Sequence, residues 1–139
     1  MTDAELRELK ARADADNPDA MFEYARHVHA TSQAAYEKYV RLAAQLGQPE
    51  ACELLGDKYM EADECEKALH FYRVGAKSGR PDCAVKVAII RLSIDEPTAI
   101  RELEELAESG IKSACSALAE YYKALGNRKQ ANFWRSLAK

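Results

Sequence analysis

The chain has 139 residues, of which 47% are hydrophobic and 31% charged, and its net charge is −3. Length and composition suit a soluble globular chain of one domain with a core of ordinary size, and no low-complexity or Ser/Gly linker stretch marks a domain boundary. The mixed, slightly acidic balance argues against a nucleic-acid or anionic-membrane surface, and no apolar run approaches the roughly 20 residues needed to span a bilayer.

In chain order, Met1–Glu5 is polar and acidic with no apolar segment, so no secretory signal and a cytoplasmic setting are expected. The pair Thr2-x-x-Glu5 has the form of a capping box and predicts a first helix over 3–15. Pro18 then opens a helix over 18–30, followed by one over 32–46. Pro49 opens 49–61, and a second capping box, Asp63-x-x-Glu66, is expected to open 64–78. Pro81 and Pro97 open 81–93 and 97–109, and two further helices cover 112–125 and 128–138. Proline suits the first helical position because its missing N–H would have no partner there. Connections of two to five residues make neighbouring helices antiparallel hairpins.

The order within this pattern is repetitive. Gly47, Gly79 and Gly110 fall 32 and 31 residues apart, and Asp16 stands where a fourth glycine would. Each is followed by a similar phrase, such as Gln48-Pro49-Glu50-Ala51 and Arg80-Pro81-Asp82-Cys83. Such a period, without strand-like alternation, predicts an all-α solenoid of stacked helical hairpins. Residues 1–16 form a capping half-unit and four repeats follow at 17–47, 48–79, 80–110 and 111–139, in a single domain.

Equivalent slots support the register. The first helix of each hairpin carries Ala20, Ala51, Cys83 and Ala114 in one slot, and Tyr24, Leu55, Val87 and Leu118 in another. A third slot is always small (Ala25, Gly56, Ala88, Ala119), which lets two helix backbones approach. The fourth slot reads Val28, Tyr59, Arg91 and Tyr122, and Arg91 breaks its apolar rule. Second helices have their own stripe: Tyr36, Tyr39 and Val40; Ala68, Phe71 and Tyr72; Ala99, Glu102 and Leu103; Ala131, Trp134 and Leu137.

Chemistry-bearing clusters are sparse. Cys52, Cys83 and Cys115 recur with the repeat as small apolar residues, and Cys65 stands apart with no C-x-x-C, so reduced structural thiols are expected. His27 and His29 diverge by roughly 200° around a helix and cannot share a metal, and His70 lies elsewhere. No metal or cofactor is expected. Two Ser-x-x-Lys tetrads, at Ser109–Lys112 and Ser136–Lys139, lack the S-D-N and K-T-G elements of a penicillin-type site, so the chain is not expected to be an enzyme.

The stretch from Ala51 through Gly56 to Tyr59, with Lys67-Ala68, Phe71-Tyr72 and Gly75-Ala76 up to Gly79, resembles a Sel1-like repeat, a relative of the tetratricopeptide repeat. The likeness covers about residues 17–139, with a period shorter than the family's usual one. It implies a right-handed superhelix of helix pairs that holds other proteins, with first helices on the concave face. Carried over by slot, the partner-facing residues would be Phe22, Arg26 and His29; Glu53, Asp57 and Met60; Val85, Ile89 and Leu92; and Ser116, Glu120 and Lys123. A protein or peptide is the implied partner. The apolar run of helix 81–93 fits either a ligand groove or plain core. Two rival readings stand beside this one: a homo-oligomerisation module using the uncovered face near Trp134, and a β-lactamase-like hydrolase.

Overall fold

The computed structural model describes all 139 residues. Nine α-helices and no strand are present: α1 (Asp3–Asp14), α2 (Pro18–Val28), α3 (Gln33–Gln45), α4 (Pro49–Glu61), α5 (Cys65–Lys77), α6 (Pro81–Arg91), α7 (Glu96–Glu108), α8 (Lys112–Ala124) and α9 (Arg128–Leu137). Each lies within two residues of its expected bounds. Contacts divide the chain into two units, Met1–Arg80 and Pro81–Lys139. In the first, α1 packs on α2, α2 on α3, α3 on α4, and α4 on α5. In the second, α6, α7, α8 and α9 pack in the same successive way, and α6 also meets α8.

The helix starts follow the local chemistry. Thr2 Oγ1 accepts from the Glu5 N–H at 3.1 Å, and Asn17 Oδ1 from Ala20 at 3.1 Å. Gln48, the one polar residue of the core, accepts from Ala51 N–H at 2.7 Å while its amide donates to Glu50. Pro18, Pro49 and Pro81 stand at first helical positions. Pro97 sits one residue further in, because Asp95 caps α7 through Thr98.

The ends of α1, α3, α4, α5, α7 and α8 share one closure. After α3, Gly47 takes φ +86°, Gln48 N–H donates to Ala43 O at 2.9 Å, and Gly47 N–H to Ala44 O at 3.0 Å. That is the left-handed closure in which two orphan carbonyls find donors. Asp16 performs it after α1 with φ 64°, as its place in the repeat suggested. Asp63 performs it after α4: with φ 60°, its N–H donates to Met60 O and Glu64 N–H donates to Tyr59 O. This corrects the second capping box. Asp63 is spent closing α4, α5 begins at Cys65, and Glu64 at its N-cap makes no side-chain cap bond. A β-carbon in the left-handed region is disfavoured, so Asp63→Gly is expected to raise stability by about 0.5–1 kcal/mol. Urea unfolding followed by circular dichroism measures this, and an unchanged or lowered midpoint would contradict the strain argument.

The core of the first unit gathers Leu9, Ala13, Met21, Ala25, Tyr39 and Cys52 around α1–α4. Tyr39 hydroxyl donates to Asp14 Oδ1 at 2.7 Å. Burial pushes the Tyr39 phenol up to about 12, and the same bond holds the Asp14 carboxyl below its usual range. The core of the second unit is Val85, Ala88, Leu103, Ala114 and Leu118, with Trp134 against it.

The small slot is the tightest feature of the first unit. A β-carbon added to Gly56 would stand 2.5 Å from Tyr72 Cε1 and 2.7 Å from its Cδ1. Only a residue without a side chain lets α4 meet α5 there. In the hairpin that follows Gly56, Tyr59 stacks on Phe71 with ring centroids 5.8 Å apart. The equivalent slots of the α6–α7 hairpin hold Arg91 and Glu102, whose guanidinium and carboxylate form a hydrogen-bonded ion pair. The apparent exception at Arg91 is therefore half of a matched replacement.

Candidate binding surfaces

In the first unit, the α2 face carries Phe22, Arg26 and His29 at helical spacing. The Arg26 guanidinium lies over the Phe22 ring at 5.9 Å, and His29 stacks on Tyr36 of α3 with centroids 3.7 Å apart. Arg26 also lines a shallow polar hollow with Glu23 and His27. On α4 the expected acidic residues are engaged within the unit. Glu53, 15% exposed at its side chain, accepts from Arg80 Nε at 2.7 Å. Asp57 accepts from the Tyr72 hydroxyl at 2.5 Å. Met60 remains exposed.

A concavity lies beside that strip. It is a groove of about 530 Å³ between the first half of α3 and the second half of α4. Tyr36, Val40, Leu54, Leu55 and Tyr59 give it an apolar lining, and Gln33, Glu37, Arg41, Lys58 and Glu61 supply polar groups. Lys58 Nζ and Glu37 Oε1 approach to 3.7 Å across it. The antiparallel course of α3 and α4 sets Arg41 towards the Leu54 end and Glu61 towards the Gln33 end. Asp57 also lines it and is the one lining residue that sequence reasoning placed on the partner-facing strip, because first helices were treated as the whole binding face. The exposed Leu54, one residue before the buried Leu55, was the available signal.

In the second unit, Val85 is 2% exposed and belongs to the core, so it lies beyond a partner's reach; this corrects its place in the strip. Leu92 packs on the same core. Ile89 is 44% exposed, and Ser116, Glu120 and Lys123 line an exposed face of α8. Helix α6 is thus mainly a core helix, with Cys83, Val85, Val87 and Ala88 buried and Ile89 outward. Leu137 departs from the second-helix stripe: it is half exposed, unlike Ala131.

The remaining reactive side chains have ordinary structural partners. Cys52 donates to Ala44 O at 3.4 Å, and burial pushes its thiol up to about 11, away from nucleophilic thiolate chemistry. Cys83 and Cys115 are buried and Cys65 exposed, all four being free thiols. Ser109 and Ser136 hydroxyls donate to the carbonyls of Glu105 and Phe133 in their own helices. His70 meets the edge of Phe71. No helix is long and apolar enough to cross a membrane.

Successive antiparallel helix pairs with repeating small slots and left-handed closures define a helical-repeat scaffold of the Sel1-like-repeat (SLR) fold. Among solved structures, a protective antigen present in uropathogenic Escherichia coli strains and displaying an SLR fold aligns with 96% of this chain, at TM-score 0.73 and 21% identity. An immunity protein from Pseudomonas aeruginosa aligns with 96% of the chain at TM-score 0.60 and 20% identity. The chain spans 32% of the first protein and 57% of the second. No protein-family model matches the sequence, and no curated protein does.

Proposed function

We propose that this chain is a non-catalytic scaffold that binds a protein or peptide. The observation that carries the reading is the α3–α4 groove, an apolar-lined concavity of about 530 Å³ with charge of both signs at its rim. Such a groove fits an apolar anchor side chain held in register by polar neighbours. Beside it, Phe22, Arg26, His29 and Met60 extend the contact surface in the first unit, with Glu53 and Asp57 as internal supports. In the second unit, Ile89, Ser116, Glu120 and Lys123 offer a surface of their own. The likeness to an immunity protein supports a protein partner, and buried free thiols fit a reducing, cytoplasmic setting.

Selection of a displayed peptide library against the chain tests this. Enriched peptides are expected to carry a bulky apolar residue and to lose binding to Leu54→Glu, a change at an exposed position that leaves the helical circular dichroism intact. Peptides that bind Leu54→Glu as well as the parent would remove the groove from the reading. Turnover of nitrocefin would instead favour the hydrolase.

A further inference from the structure

The charged residues lining the α3–α4 groove are not alike. Glu37 faces Lys58 at 3.7 Å and also accepts from Gln33 Nε2 at 3.3 Å. Asp57 accepts from the Tyr72 hydroxyl. The other two, Arg41 and Glu61, are exposed, and the side chain of neither is held by an ion pair or hydrogen bond. They stand at opposite ends of the groove, Arg41 with Leu54 and Glu61 with Gln33. The groove therefore has one unanswered charge at each end, and the two are of opposite sign.

Their spacing limits what can lie between them. Leu54 and Glu61 are seven residues apart on α4, which is about 10.5 Å along the axis, or two helical turns. Between the ends the floor is apolar, with Val40 and Leu55 buried and Tyr36 and Tyr59 half-buried. Glu61 is also the last residue of α4, at the negative end of the helix dipole, where its own helix gains nothing from a carboxylate. The furrow between two helices packed side by side accepts the side chains of a third helix laid along it. On that third helix, residues seven apart return to within about 20° of one face, and the third and fourth positions between them share it.

Resting on the peptide-binding reading of this groove, we propose that its occupant is an amphipathic helix of another protein, with one acidic and one basic residue seven positions apart and bulky apolar residues at the third and fourth positions between them. The acidic residue pairs with Arg41 and the basic one with Glu61, while the apolar pair covers Leu54 and the floor. A helix with its acid in the first turn and its base in the last also satisfies its own dipole, so it runs parallel to α4. The Glu37–Lys58 pair crosses the middle of the groove and, being exposed on both sides, yields to the ligand at small cost. A segment charged with one sign throughout meets repulsion at one end or the other.

Fluorescence anisotropy of dye-labelled helical peptides against the full chain tests this. The lead probe has glutamate and lysine seven positions apart with two leucines midway, and matched probes carry glutamine, glutamate or lysine at both charged positions. The lead probe is expected to bind about threefold or more tighter than the glutamine probe, with the margin shrinking as salt rises. Arg41→Glu leaves both ends acidic and should move the preference to the double-lysine probe. Glu61→Lys leaves both ends basic and should move it to the double-glutamate probe. A lead probe broken by proline at an outward position should bind about tenfold more weakly or worse. Both substituted positions are exposed, and circular dichroism verifies that each variant is folded. If all four probes bind alike and all are lost on Leu54→Glu, the groove still takes peptides but the selection by paired charges is wrong. Unchanged rankings on Arg41→Glu and Glu61→Lys, or full binding of the proline probe, would equally overturn the proposal. So would a dimer of the chain in sedimentation that disappears on Leu54→Glu, which makes a second copy the occupant. If no probe binds at about 1 mM, the helical occupant is refuted, and a displayed library without groove-dependent peptides would take the underlying reading with it.

Discussion

Gly56→Ala is expected to destabilise the first unit by about 2 kcal/mol, although alanine is the better helix former. Helix propensity alone would favour the substitution by about 1 kcal/mol. Against this stands the Tyr72 ring, with three atoms within 2.9 Å of the new methyl. The ring cannot swing aside freely, because its hydroxyl is bonded to Asp57, the neighbour of Gly56. Relief therefore means spreading α4 from α5 or breaking that bond, and overpacking of this kind costs about 1–3 kcal/mol, with about 1 kcal/mol more for the lost hydrogen bond. A double-mutant cycle with Tyr72→Leu separates the effects: the two changes together should be less harmful than their sum by about 1 kcal/mol or more. Simple additivity in chemical unfolding would show that the steric account is wrong.

Leu118→Ala is expected to cost about 3–4 kcal/mol in the second unit. Leu118 is fully buried and packs in a cluster with Val85, Ala88, Leu103 and Ala114. Two of those neighbours are alanines, which have no flexible side chain to lean into the vacated space. Loss of transfer free energy and persistence of a cavity therefore add. Unfolding followed by Trp134 fluorescence reads this unit directly, since the indole packs on the same cluster. A loss below about 1.5 kcal/mol would mean that the helices collapse onto the space. Leu118→Ile, which keeps the volume, should lose less than about 1.5 kcal/mol.

Local chemistry made most of the fold legible. A proline, a cap or a left-handed closing residue marks nearly every helix limit, and those signals act within a few residues of themselves. The small slot was readable because four equivalent positions repeat it. The failures needed longer reach. Asp63 satisfied the sequence form of a cap, yet the backbone used it to close the preceding helix. Glu53 looked free for a partner, but its bond is to Arg80, 27 residues on, and that of Asp57 is to Tyr72, 15 residues on. Val85 and Ile89 both read as apolar residues of one helix, and only the packing around α6 separates the buried one from the exposed one. The α3–α4 groove was hidden because its walls belong to a second helix and to the first helix of the next pair.

The exchange of the Tyr59–Phe71 stack for the Arg91–Glu102 ion pair has a consequence for anyone redesigning such arrays. The two solutions are interchangeable as pairs but not as halves: Arg91→Tyr alone would leave Glu102 without its cation, and Glu102→Phe alone would strand a guanidinium against a ring. A consensus built by averaging each column separately would mix the two solutions and erase both. Repeats of this kind are better recombined as whole hairpins, with the correlated positions transplanted together.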